Sequence, residues 1–112
     1  MKEKGSYLGE FEELVLLAVA TLQEDAYGVA VMKFIDKEAN RQVNISAVHQ
    51  ALKRLQSKGL VNSKVGGATK ERGGRSKRFF LLTEMGVTTL QEIVKLKTQL
   101  YNNLPTLSFQ RP

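Results

Sequence analysis

The sequence contains no cysteine, no tryptophan and a single histidine, His49. Without thiols there is no disulfide scaffold and no cysteine nucleophile, and one imidazole cannot supply the ligand set of a zinc finger. Long apolar runs are also missing. The longest, Leu14 to Ala20, is seven residues, against the roughly 20 that a bilayer span needs. The first residues, Met-Lys-Glu-Lys-Gly-Ser, lack the apolar stretch of a secretory signal. A cytoplasmic location with no membrane association is therefore expected, and the triplet Asn44-Ile45-Ser46 is then no glycosylation site. Internal repeats and low-complexity tracts are absent. What remains is an ordinary globular balance, 42% hydrophobic and 25% charged over 112 residues, which excludes global disorder and suits one domain.

Acid is scarce where base is plentiful. The net charge is +6, but residues 1–40 carry four lysines and eight acids, whereas residues 41–112 carry thirteen bases and three acids. Residues 41–82 hold ten of those bases and one acid, Glu71. A positive field this concentrated attracts a polyanion, most often nucleic acid. A solvated basic surface that serves solubility is the alternative. A membrane surface is not indicated, because no segment joins basic residues to a strong Trp/Phe face.

Periodicity and end signals divide the chain into four helices and a hairpin. Gly9 to Leu22 reads as a helix with Glu10, Glu12 and Glu13 in its first turn, where the helix dipole favours negative charge. Phe11, Leu14, Val15, Ala18 and Leu22 recur at helical spacing, and Leu17 and Val19 broaden the face. After a polar break at Gln23 to Ala26, Tyr27-Gly28 opens a second helix to about Ala39, with Val31, Phe34, Ile35 and Met32 inward. Asn44 caps a third helix, which Gly59 stops. Leu60 to Val65 alternates as an edge strand, Gly66 to Gly74 reads as a loop, and Lys77 to Leu82 returns as a second strand. Thr83 caps a last helix that ends before Pro105. The expected class is mainly α with a small β part: a winged helix-turn-helix of three helices, a two-stranded hairpin and one long C-terminal helix. Residues 1–83 form the binding domain, and residues 84–112 the C-terminal helix and tail of the same compact unit.

The third helix has two unlike faces. Ile45, Val48, Leu52 and Leu55 occupy one sector at spacings of 3, 4 and 3. Ser46, Ala47, Gln50, Lys53, Arg54 and Ser57 fall opposite, with no acid among them. Small residues allow close approach to a duplex, Gln can pair with adenine, Arg with guanine, and Lys can meet phosphate. An amphipathic helix with a merely solvated face is the alternative. Asn44 at the helix start and His49 on its shoulder complete the candidate surface. For His49, packing or a phosphate contact is the expected role, and a pH-responsive role stays open. In the hairpin, Lys70, Arg72, Arg75, Lys77 and Arg78 decorate a glycine-rich tip able to follow a sugar-phosphate rail or enter a narrow minor groove. The same glycines could mark a plain mobile loop. They do not form a Walker A loop, which requires Gly-Lys-Ser/Thr after a second glycine.

In the last helix Leu90, Ile93, Leu96, Leu100 and Leu104 form an apolar stripe flanked by Val94 and Tyr101. At about 20 residues, roughly 30 Å, this helix outreaches a small domain. Its far end is expected to pack on a second copy, with Phe11 contributing from the first helix. Folding back within the chain is the alternative. Two-fold symmetry would set two third helices about 34 Å apart on a palindromic site.

Three blocks resemble the PadR family of bacterial transcription regulators. They are Ala26-Tyr27-Gly28, then Ala51-Leu52-Lys53-Arg54-Leu55-Gln56-Ser57-Lys58-Gly59-Leu60-Val61, then Gly74-Arg75-Ser76-Lys77-Arg78-Phe79-Phe80-Leu81-Leu82-Thr83-Glu84-Met85-Gly86. With the first helix the resemblance covers about residues 10–100. It implies a winged helix-turn-helix repressor that dimerises through its C-terminal helix. His49 departs from the family's Tyr, which helps hold the DNA backbone, and Gln50 and Ser76 depart from its Pro. Some relatives release DNA when an aromatic or apolar effector binds near the dimer interface. Phe11, Tyr7, Tyr101 and Phe109 are the aromatics available here, and the sequence by itself defines no pocket for an effector.

The expected function is therefore sequence-specific binding of double-stranded DNA by a homodimer. A winged-helix protein-interaction module using the acidic N-terminal surface, and a non-specific nucleic-acid-binding protein, are the competing readings. No cofactor or metal is expected. An enzyme is not expected either, since the basic block has no paired carboxylates and His49 no nucleophile motif beside it.

Overall fold

The computed structural model describes residues 8–68 and 76–106. Helix α1 (Glu10–Leu22) leads through a 3₁₀ turn (Gln23–Asp25) to α2 (Gly28–Glu38) and α3 (Ile45–Ser57). A hairpin of β1 (Val61–Ala68) and β2 (Ser76–Leu82) follows, then α4 (Glu84–Asn102). Helix α1 packs on α2, α3, β2 and α4, so it is the hub of the molecule. Its Val15, Leu16, Ala18 and Val19 are buried with Val31 and Ile35 of α2, Val48, Leu52 and Leu55 of α3, and Leu60, Val61 and Phe80 of the hairpin. Four helices plus a two-stranded antiparallel sheet form the expected mainly helical winged fold.

Local chemistry explains the boundaries of α3. The Asn44 side-chain oxygen accepts a hydrogen bond from the Ala47 N–H at 2.8 Å, which satisfies one of the helix's orphan donors. At the other end Gly59 has φ +78°. Its N–H donates to the Gln56 carbonyl at 3.0 Å, and the Leu60 N–H donates to the Leu55 carbonyl at 2.9 Å. This is a Schellman closure, which favours glycine because a Cβ is strained at that φ. Thr83 ties α4 to the same corner. Its hydroxyl accepts from the Gly86 N–H at 3.0 Å and donates to the Gly59 carbonyl at 2.6 Å. Gly86 is buried, and a Cβ there would overlap the Leu60 carbonyl.

Two expectations change. Strand β1 does not end at Val65 but continues through Gly66 and Gly67 to Ala68. The register runs from Val61↔Leu82 to Val65↔Arg78 and then slips before Ala68↔Ser76. The extra residue is a bulge, which glycine accommodates. Leu17 is 37% exposed rather than part of a continuous buried face, because the α1–α4 contact leaves a groove beside it. Among the described residues, no helix is long and apolar enough to cross a membrane.

Candidate nucleic-acid interface

The apolar side of α3 is sealed against α1, and this turns its other side to solvent. Asn44, Ser46, His49, Gln50, Lys53 and Arg54 are exposed, while Ala47 is half-buried. The Asn44 side chain is committed to its cap. Among the described residues, the side chains of Ser46, Gln50, Lys53 and Arg54 have no hydrogen-bond or ion-pair partner. His49 lies over the start of α2. A Cβ on Gly28 would come within 2.6 Å of its Cε1, so Gly28 is what lets the imidazole lie this close. That contact agrees with a shoulder position and gives His49 a packing role.

The ten bases of residues 41–82 fall into distinct groups. Arg41 donates to both Glu10 carboxylate oxygens, at 2.9 and 2.8 Å, and its guanidinium stands 5.4 Å over the Phe11 ring. Lys58 donates to Glu12 at 2.7 Å. These two face α1 and are neutralised there. The Lys77 ammonium lies 4.0 Å over the Tyr27 ring, and Arg78 donates to the Ser63 hydroxyl at 3.1 Å. Lys53, Arg54 and Lys64 are exposed without a partner among the described residues. Lys70, Arg72 and Arg75 lie outside the described residues. Among the described residues, the cations of this block without an ion-pair partner thus lie on the outer face of α3 and on the two strands of the hairpin.

The acidic first turn of α1 is not an open docking surface. Glu13 accepts from Lys97 of α4 at 2.6 Å, so each of the three acids binds a base from a different part of the chain. The Glu13 carboxylate, through its hydrogen bond and then its charge, holds the Lys97 pKa above the ordinary lysine value of 10.5. Acids in a first turn suggested only a dipole role in the sequence; the partners are too distant along the chain to be read from it.

The residues expected at a dimer contact separate into two sets. Phe11 and Leu90 are half-buried against the chain's own core, and Ile93 is half-buried as well. Leu96, Leu100, Leu104 and Tyr101 remain 54–66% exposed. Beside them α1, the hairpin and α4 frame an apolar groove of about 470 Å³, with Leu17, Ala20, Leu82, Val87, Leu90 and Val94 among its walls. Three residues absent from the sequence-derived surface belong to its framework: Tyr27 and Phe79, whose rings meet edge-on, and exposed Lys64. Strand alternation separates Phe79 from the core-facing Phe80, but nothing local indicates that Tyr27 is its partner.

The transcriptional regulator PadR-like family model matches residues 16–92. Among solved structures, a PadR family transcription regulator from Clostridium difficile is similar at 23% identity and a TM-score of 0.64, over 84% of this chain and 92% of that one. A PadR-like regulator from Bacillus cereus aligns at 19% identity and a TM-score of 0.67, over 87% of this chain and 93% of that one. A PadR-like transcription factor from Bacteroides fragilis aligns at 22% identity and a TM-score of 0.67, over 82% of this chain and 84% of that one. Comparison with curated proteins finds no match.

Proposed function

Because the chain belongs to the PadR-like family of transcriptional regulators, we propose that it represses transcription by binding an inverted repeat in double-stranded DNA as a homodimer. The observation that carries this reading is the outer face of α3, where Ser46, Gln50, Lys53 and Arg54 are exposed, free of acids and without partners among the described residues. Unpaired cations on a closely approachable helix match a major groove, where phosphate contacts give affinity and base contacts give preference. Gln50 and Arg54 are the base-reading candidates, and Lys53 a phosphate contact. His49 extends the surface toward the start of α2. Lys64, Lys77 and Arg78 of the hairpin follow the adjacent backbone, and Lys70, Arg72 and Arg75 are proposed from the sequence as further backbone contacts.

Dimerisation is supported by the exposed leucines at the far end of α4, which no part of the described chain covers. Release by an apolar or aromatic small molecule fits the neighbouring groove, whose walls are almost wholly apolar.

Selection of bound fragments from random duplex DNA tests the reading. An inverted repeat with half-sites about one turn apart is expected. On that fragment, Lys53→Ala should lower the salt slope by about 0.9 for its lost phosphate contact. Gln50→Ala should instead change the preferred sequence at one position per half-site. Equal recovery of all sequences, with both variants binding like the wild type, would reject the assignment of α3 and favour a non-specific nucleic-acid binder.

A further inference from the structure

The root of the hairpin is joined to the start of α2 by a row of side chains of which the proposed DNA contacts use only Lys77. Phe79 is half-buried between two neighbours. On one side is Gly66 of β1, where a Cβ would come within 2.5 Å of the Phe79 ring. On the other is Tyr27, whose ring centroid lies 5.6 Å away at an interplanar angle of 69°. The Lys77 ammonium rests 4.0 Å over the Tyr27 ring. The backbone follows the same path. Tyr27 and Phe79 form an antiparallel bridge, and the Phe80 N–H donates to the Ala26 carbonyl at 2.8 Å. Tyr27 occupies the N-cap position of α2, yet its side chain makes no capping bond. Its ring, which meets the Phe79 ring edge-on and carries Lys77 over its face, is what the fold employs.

A two-stranded hairpin alone is marginally stable in water, so its orientation must be set by what its root touches. The edge-on ring pair fixes a direction, because aromatic quadrupoles favour that arrangement, and the ammonium is drawn to the ring face. We propose that Tyr27 is a positioning residue for DNA binding: clasped between Phe79 and Lys77, it sets the angle of the hairpin to α3 so that both engage one duplex. This rests on the DNA-binding reading above. Tyr27 itself touches no DNA in this scheme.

Hydroxyl-radical footprinting and affinity measurements on the selected inverted repeat test the proposal with Tyr27→Phe and Tyr27→Leu. The phenylalanine variant keeps the ring and should match the wild type. The leucine variant keeps apolar bulk but loses the ring. It should bind about fivefold more weakly, the equivalent of roughly 1 kcal/mol, and should lose protection at the outer flanks while the central α3 footprint persists. Should the leucine variant fail to fold by circular dichroism, Gly66→Ala takes its place, since its new Cβ displaces Phe79 from the hairpin side, and the same selective loss is expected. Wild-type affinity with both protections kept overturns the proposal and leaves DNA binding standing, as does uniform loss of centre and flank in a folded variant. Absence of any footprint for the wild type would instead remove the DNA reading, and this proposal with it.

Discussion

Gln23 closes α1 with φ 53° and ψ −117°, a backbone region that residues with a side chain rarely adopt. Its N–H still reaches the Val19 carbonyl, so the strained residue ends the helix and starts the 3₁₀ turn. Asn40 also has a positive φ, 49°, but Asn tolerates the left-handed region because its short amide can bond locally. The two positions should therefore respond differently to glycine. Gln23→Gly is expected to raise stability by about 1 kcal/mol, a few degrees in thermal midpoint. Asn40→Gly should change it little, since the relief there is offset by greater freedom in the unfolded chain. Thermal melts of the two variants against the wild type check this, and a lowered midpoint for Gln23→Gly would show that its side chain contributes more than its strain costs.

Among the elements, α1 does the joining. Glu10 reaches the α2–α3 turn through Arg41, Glu12 reaches the end of α3 through Lys58, and Glu13 reaches α4 through Lys97. Glu10–Arg41 and Glu13–Lys97 are open to solvent, which screens them, whereas Glu12–Lys58 is more enclosed; all three orient elements that the apolar core already holds together. The Lys97–Glu13 pair also sets a pH dependence. Lys97 has a raised pKa in the folded chain. Its contribution is therefore fully present below the ordinary lysine value of 10.5 and is lost as pH rises through the higher folded value. Urea unfolding of the wild type and Lys97→Met should show a stability gap that is constant from neutrality into mildly alkaline solution and closes only in strongly alkaline solution. A gap that closes near neutral pH would mean that another group controls it.

At the scale of the whole molecule, the chain extends 61 × 37 × 20 Å along its principal axes. Gly86, Thr89 and Leu90 anchor the first half of α4, whereas Leu96, Leu100 and Leu104 stand in solvent. If those leucines meet a second copy, Leu100→Glu should halve the mass measured by light scattering. It should also weaken binding to the inverted repeat by about a hundredfold, because the second half-site no longer benefits from effective concentration. Half-site affinity should stay near that of one wild-type reading helix. A Leu100→Glu protein with unchanged mass and unchanged affinity would refute dimerisation through α4.

The sequence determined the features whose causes are local. Asn44 and Thr83 announced the starts of α3 and α4, Gly59 announced a stop, and 3.6-residue spacing assigned Val48, Leu52 and Leu55 to the core, because capping and amphipathicity act within a few residues. Tertiary structure alone decided which charges remain available. Arg41 and Lys58 look no different in the sequence from Lys53 and Arg54, yet the first pair is neutralised by α1 and the second pair faces solvent. It also decided that Gly66 continues a strand, that Gly28 makes room for His49, and that Tyr27 receives both Phe79 and Lys77. The physical reason is the same throughout: ion pairs and ring contacts act over a few ångströms in space, and only folding brings residues from distant parts of the chain within that range.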